Sequence, residues 1–204
     1  MEQNTNEEWK NAEAEDHQPE NQGMEMEVDI NNAGLCLISP FIPMLFRKLG
    51  YLENDNKHFK KDVERGTETK TKIRAIFVLQ YSLSLEERQY CKQDLMLGRV
   101  FLNLPMDIVL PDRLELNDKE KQTVEEMLTA AKNNWDTMRN KSLAGFQEAF
   151  LKRSGRLKNE GDKWLLTVDE RAYDILFQYL PWNFERIRFP WTDKLIAVKW
   201  DNRW

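Results

Sequence analysis

The spacing of apolar residues changes once along this chain, and that change bounds what it can fold into. Between residues 40 and 151 they recur at three and four positions. Phe41, Ile42, Leu45, Phe46 and Leu49 form one such run, and Val124, Met127, Leu128, Ala131 and Trp135 another. This spacing lays a stripe along a helix. Beyond residue 155 alternation takes over: Trp164, Leu166 and Val168, then Ile196, Val198 and Trp200. Period two is the pattern of strands buried on one face. The expectation is an α+β fold, a mainly helical body with a small C-terminal antiparallel sheet. Residues 30–204 form its single folded domain, helical over 38–152 and sheet-containing over 155–204.

Local signals place the elements. Ser39-Pro40 predicts a helix start, Pro43 still falls in the first turn, and Gly50 is the stop. Residues 53–67 are polar and read as a loop. Lys72–Ser84 carries apolar residues around most of its circumference and predicts a buried helix. Residues 88–104 predict another, with Cys91, Leu95, Met96, Val100 and Leu104 inward. Asn117-Asp118-Lys119-Glu120 is a capping box, and Ser142 caps a helix through Phe146, Phe150 and Leu151 that Gly155 ends. A turn at Asn159–Asp162 precedes the first alternating run. Asp169 is expected to cap a short helix with Ile175, Leu176, Tyr179 and Leu180 inward, stopped by Pro181.

Charge is unevenly spread. Residues 1–29 hold ten acidic residues and one lysine, a net −9 against −5 for the chain, which leaves +4 on residues 30–204. That segment has one Trp and no Leu, Ile or Phe. It cannot bury enough apolar area to offset an ordering entropy of about 1–2 kcal/mol per residue. Residues 1–29 are therefore expected to be a disordered acidic arm, either solubilising or docking on a basic partner surface. The N-terminus resembles neither a secretory signal nor an Arg-rich transit peptide. No apolar run approaches the roughly 20 residues that cross a bilayer, so the expectation is cytoplasmic, without membrane insertion. At 204 residues the chain can bury a core without disulfides or metals. Cys36 and Cys91 read as reduced, buried thiols.

Catalytic constellations are missing from the sequence. His17 and His58 have no partner at metal-ligand spacing, and no Gly-rich phosphate loop or G-x-S-x-G elbow occurs. Asp169, Glu170 and Asp174 lie close together, but Asp169 has sufficient work as a cap, and the other two read as helix surface. Lys152, Arg153, Arg156 and Lys158 cluster before the first strand, yet +4 over residues 30–204 is a weak footprint for nucleic acid. The reading is a protein that is not an enzyme, with no catalytic residue, metal, cofactor or nucleic-acid partner.

Five of the seven tryptophans fall between residues 164 and 204. Trp164 and Trp200 sit in alternating runs and are expected in the core. Pro181-Trp182 and Pro190-Trp191 are rigid corners that would set rings at a surface rim, where Trp is enriched in interface hot spots. The candidate protein-interaction residues are Pro181, Trp182, Pro190, Trp191 and Trp204.

The same residues resemble the contractile injection system tape measure protein family. The likeness opens with Asn32-Ala33-Gly34-Leu35, Pro40-Phe41-Ile42, Leu45-Phe46 and Leu49-Gly50, then runs through Arg74-Ala75 and Leu79-Gln80-Tyr81. It continues through Trp135, Ser142, Gly145, Phe150-Leu151, Arg153, Gly155 and Leu157. It closes on Trp164, Leu166, Asp174, Leu180-Pro181-Trp182, Ile187, Pro190-Trp191 and Val198-Lys199-Trp200. Two Pro-Trp corners after an F-L-x-R-x-G block are specific to this pattern. Leu102-Asn103 stand where the family pattern has Cys-Gly before a Leu-Pro, and larger members carry long segments not seen here. The resemblance implies a non-enzymatic assembly component of a phage-tail-like contractile particle, whose partners would be tube, baseplate or spike subunits. Homo-oligomerisation is left open.

Geometry constrains a ruler. An extended arm of 29 residues spans at most about 100 Å, and a single helix of the whole chain would reach only about 300 Å, which the turns and strands forbid. The expectation is an anchoring body at the baseplate or tube end. The alternative is a cytosolic adaptor or chaperone that loads cargo or spike proteins and leaves the particle.

Overall fold

The structure, a computed structural model, describes residues 26–200. Most of the expected arm, residues 1–25, lies outside the described residues, as does Trp204. The end of the arm is different from the expectation, because Glu27–Ile30 form a strand, β1. Its Val28 and Ile30 turn inward while Glu27 and Asp29 face solvent. This short alternation gains its stability from pairing with residues far along the chain.

The helical part contains α1 (Ile42–Leu49), α2 (Thr69–Tyr81), α3 (Lys92–Phe101), α4 (Asp118–Asn134) and α5 (Leu143–Phe146), which runs into a π turn at Gln147–Leu151. The helix signal at Ser39-Pro40 is displaced: Ala33–Phe41 is a 3-10 helix containing Pro40, and α1 begins at Ile42 with Pro43 in its first turn. Gly50 ends α1 with φ 73°, a left-handed conformation natural to glycine. The capping box of α4 is formed, with the Glu120 N–H donating to Asn117 Oδ1 at 2.9 Å and the Asn117 N–H to Glu120 Oε2 at 2.7 Å. Helix α3 is shorter than expected, and Cys91 just before it is exposed, while Cys36 is buried. Within the polar loop Phe59 is fully buried, its ring against Phe46 and Trp191.

Strands β2 (Gly155–Asn159), β3 (Lys163–Val168), β4 (Arg186–Ile187) and β5 (Leu195–Trp200) join β1 in one sheet, ordered β1-β2-β3-β5-β4. The fold is α+β, as expected, but the sheet is mixed. Three pairings are antiparallel, whereas β3 and β5 run parallel, with Trp164 opposite Ile196 and Val168 opposite Trp200. A parallel pair needs a crossover, and residues 169–194 supply it. The sheet also draws one strand from before the helices, so helical and sheet segments do not separate cleanly at residue 155.

One sheet face is buried through Leu157, Trp164, Leu166, Val168, Ile196 and Trp200. The opposite face presents Arg156, Leu165, Thr167 and Lys199 at least partly to solvent. A single hydrophobic core runs from Ile30 to Trp200 and includes residues of every helix. Glycine allows its closest joint. A Cβ on Gly34 would collide with the Phe150 carbonyl and lie 2.6 Å from that of Leu151. The 3-10 segment therefore presses directly on the π turn, and the Ala33 N–H donates to Arg153 O at 2.9 Å.

Candidate interaction surface

Arg153 follows the π turn and points into the core. Its Nη1 donates to Asp174 Oδ1 at 2.7 Å and to Ala149 O at 3.1 Å, and its Nη2 donates to Asp174 Oδ2 at 2.6 Å and to the Asp169 carbonyl. Both side chains are 0% exposed. Trp200 Nε1 donates to Asp174 Oδ2 at 2.9 Å, the Arg171 backbone N–H to the same oxygen at 2.8 Å, and the guanidinium carbon lies 4.9 Å from the Trp200 ring centroid. Burial alone would push the Asp174 carboxyl up. The bonds from Arg153, Trp200 and Arg171 outweigh it and hold the carboxyl below the usual carboxylate range. Asp174, expected on the helix surface, is thus an internal anchor.

That anchor sets the next helix. Ala172–Tyr179 is a 3-10 helix preceded by Arg171, not an α-helix capped by Asp169. With three residues per turn, positions i and i+3 eclipse. Asp174 and Phe177 therefore share the inward face. Ile175 and Tyr179, expected inward from α-helical spacing, are instead 64% and 61% exposed. Leu176 and Leu180 are half-buried.

The chain then turns at Pro181, which is exposed, and Trp182 lies half-buried. Trp182 Nε1 donates to Leu37 O at 2.8 Å, and its ring meets Phe41 edge-on at 5.0 Å. The indole is fixed by its inner edge. Ile175, Tyr179 and Trp182 lie within one short stretch of chain, the first two exposed and the indole half-buried. The other corner behaves differently. Pro190 is exposed, but Trp191 is buried, stacks on Phe189 at 5.2 Å and donates its Nε1–H to Phe101 O at 2.9 Å. With its polar edge satisfied inside and its faces covered by Phe46, Phe59 and Phe189, Trp191 is a core residue and not a rim ring. Trp164 and Trp200 are also buried.

A second buried polar cluster joins three elements. Glu120 on α4 accepts from the Tyr51 hydroxyl and from Arg74 on α2, whose Nη2 lies 2.6 Å from Oε2. Burial, then the Glu120 bond, pushes the Tyr51 phenol up. Glu120 is opposed by its own burial, yet the Arg74 and Tyr51 bonds hold it down. Each group is committed to a neighbour, and the cluster ties α4 to α2 and the end of α1. His58 sits on an exposed loop 2.5 Å from Asp55, and His17 lies outside the described residues. Asp169 and Glu170 are exposed and separate from buried Asp174. Among the described residues no group of three or more His, Cys, Asp or Glu could hold a metal ion, and no helix is long and apolar enough to cross a membrane.

A family model described as contractile injection system tape measure protein matches residues 1–200. No curated protein and no solved structure gave a match.

Proposed function

This chain belongs to the contractile injection system tape measure protein family, and we propose that within a contractile particle it serves as an anchoring body at the baseplate or tube end. The family is structural and not an enzyme class, and its membership implies contact with other particle proteins. The observation that carries the anchoring role is reach. The longest helix among the described residues, α4, has 17 residues, about 26 Å at 1.5 Å per residue. Every element is tied into one core, so the described body has no long contour to lay along a tube. Tube length is then set by another chain or by stacked copies.

In this reading the exposed side chains of Ile175, Tyr179 and Pro181, with the half-buried Trp182, together serve as one docking ridge. It offers apolar side chains that the chain leaves exposed beside an indole fixed from below, the makeup of an interface hot spot. Its partner is a tube, baseplate or spike subunit.

The test is electron microscopy of particles from cells lacking the gene, scored for presence and tube length. Missing particles, or particles lacking a properly seated tube, support the anchor. Normal particles of normal length overturn it. Particles of broad or altered length would instead assign this chain a direct part in measuring.

A further inference from the structure

The two outer strands of the sheet carry opposite charge. β1 presents Glu27 and Asp29 to solvent, and the Asp29 side chain is 85% exposed. At the other edge Arg186 lies in β4 and Arg188 follows it, both exposed. Arg156 Nε lies 3.2 Å from each carboxylate of β1, so one cation is shared between two anions. Among the described residues Arg186 and Arg188 have no carboxylate partner.

The backbone is open at the same four residues. The Asn159 N–H donates to Met26 O, so Met26, Val28 and Ile30 turn their ladder groups toward β2, and Glu27 and Asp29 turn theirs outward. The Val198 N–H donates to Glu185 O, so Ile187 bonds toward β5, and Arg186 and Arg188 point their N–H and C=O away from the sheet. Open edges of this kind are templates for another strand.

Direction and facing also agree. β1–β2 and β2–β3 are antiparallel, β3–β5 is parallel and β5–β4 antiparallel, so β4 runs opposite to β1. The register sets Glu27, Lys158, Leu165, Ala197 and Arg186 in one row across the sheet. The acidic and basic pairs therefore rise from one face. A second copy set beside the first, with that face turned the same way, brings its β1 antiparallel to β4.

We propose that β1 of one copy adds to β4 of the next as an antiparallel strand, with Glu27 opposite Arg188 and Asp29 opposite Arg186. These are the residues with open backbone groups, so each charged pair is also a hydrogen-bonded pair. Between them Val28 meets Ile187, a β-branched pair. Like edges cannot substitute, since β1 on β1 sets carboxylates opposite each other and β4 on β4 does the same with guanidiniums. The joint is head-to-tail. It leaves an acidic edge open at one end and a basic edge at the other, and so builds rows of copies and not a two-fold pair. It rests on the two edges alone and not on the anchoring role.

Sedimentation velocity of the full-length protein over rising concentration tests the joint. The parent chain is expected to self-associate, and less so in high salt. Glu27→Lys with Asp29→Lys leaves both edges basic, and Arg186→Glu with Arg188→Glu leaves both acidic. Each double variant is expected to associate at least about tenfold more weakly, while thermal melting confirms that both are folded. Mixing the two is expected to restore association, because each reversed edge then meets its complement. Asp29→Pro removes one outward N–H, spares the ladder with β2 and is expected to weaken the row as well. A parent that stays monomeric throughout overturns the joint, as does a mixture that stays monomeric. Association that survives in either double variant also overturns it, by assigning the contact to another surface.

Discussion

Arg153 and Asp174 meet through both guanidinium Nη atoms and both carboxylate oxygens, at 2.7 and 2.6 Å, with neither side chain exposed at all. The pair closes the end of the helical part onto the crossover between β3 and β5. A buried pair of this kind contributes little net stability compared with apolar residues of the same volume, but removing one partner strands the other.

Asp174→Ala should therefore destabilise the protein by about 3–5 kcal/mol, since it leaves a buried guanidinium unpaired. Chemical denaturation measures this directly. A loss below about 1 kcal/mol would mean that Arg153 escapes to solvent and that the pair is not an anchor.

The same carboxyl makes stability depend on pH. The Asp174 and Glu120 carboxyls are both held below their ordinary values in the folded protein. Their contribution is full above the unfolded carboxylate pKa, about 4, and is lost as pH falls through the folded value. Tm should be level between about pH 7 and pH 5 and fall below about pH 4. Asp174→Asn should lower the plateau and flatten the acid slope. An unchanged slope in that variant would remove Asp174 from the account.

Two glycines should respond differently to alanine. At Gly34 the new Cβ strikes the Phe150 and Leu151 carbonyls, which are backbone and cannot swing aside. The cost should reach about 3 kcal/mol. At Gly161, on the β2–β3 turn with φ 82°, nothing lies within 4 Å, and only left-handed strain of about 1 kcal/mol remains. Tm values of the two variants order these costs, and the reverse order would contradict the close packing of Ala33–Phe41 on the π turn.

The tryptophan corners should separate structure from docking. Trp191→Ala empties a core site and should cost about 3–5 kcal/mol. The double change Ile175→Ser and Tyr179→Ser removes exposed apolar side chains and should leave stability within about 1 kcal/mol. If the ridge docks on a particle subunit, the double variant should co-purify poorly with particles while melting normally. Full recovery in particles would take the ridge out of the interface.

What the sequence revealed and what it hid divides by range. Local signals carried through: the Asn117–Glu120 capping box, the Gly50 stop, the turn at Asn159–Asp162 and the burial of Trp164 and Trp200. Each rests on residues within a few positions of one another. The family likeness, spread over many short blocks, also carried through. The misreadings came from long-range contacts. Asp174 looks like helix surface unless Arg153, 21 residues earlier, is known to reach it, and that contact turns an expected 3.6-residue period into three. Ile175 and Tyr179 consequently changed sides. Trp191 looked like a rim ring because Pro190 marks a corner, but a corner does not say which way its ring turns, and here the Phe101 carbonyl draws it inward. The acidic residues around Val28 and Ile30 masked a strand whose partner, β2, lies over 120 residues away.

The position of β5 has a consequence for synthesis. Residues 195–200 fill an inner place in the sheet, between β3 and β4, and bring Trp200 to the Asp174 carboxylate. A ribosome delivers the chain from its other end, so β1 through β4 emerge before the strand that belongs among them. Until then the apolar flank of β3 stands open and Asp174 lacks one of its donors. With pairings so far apart in sequence, folding should finish late and slowly, with the edge of β3 open to premature association until residues 195–200 have emerged.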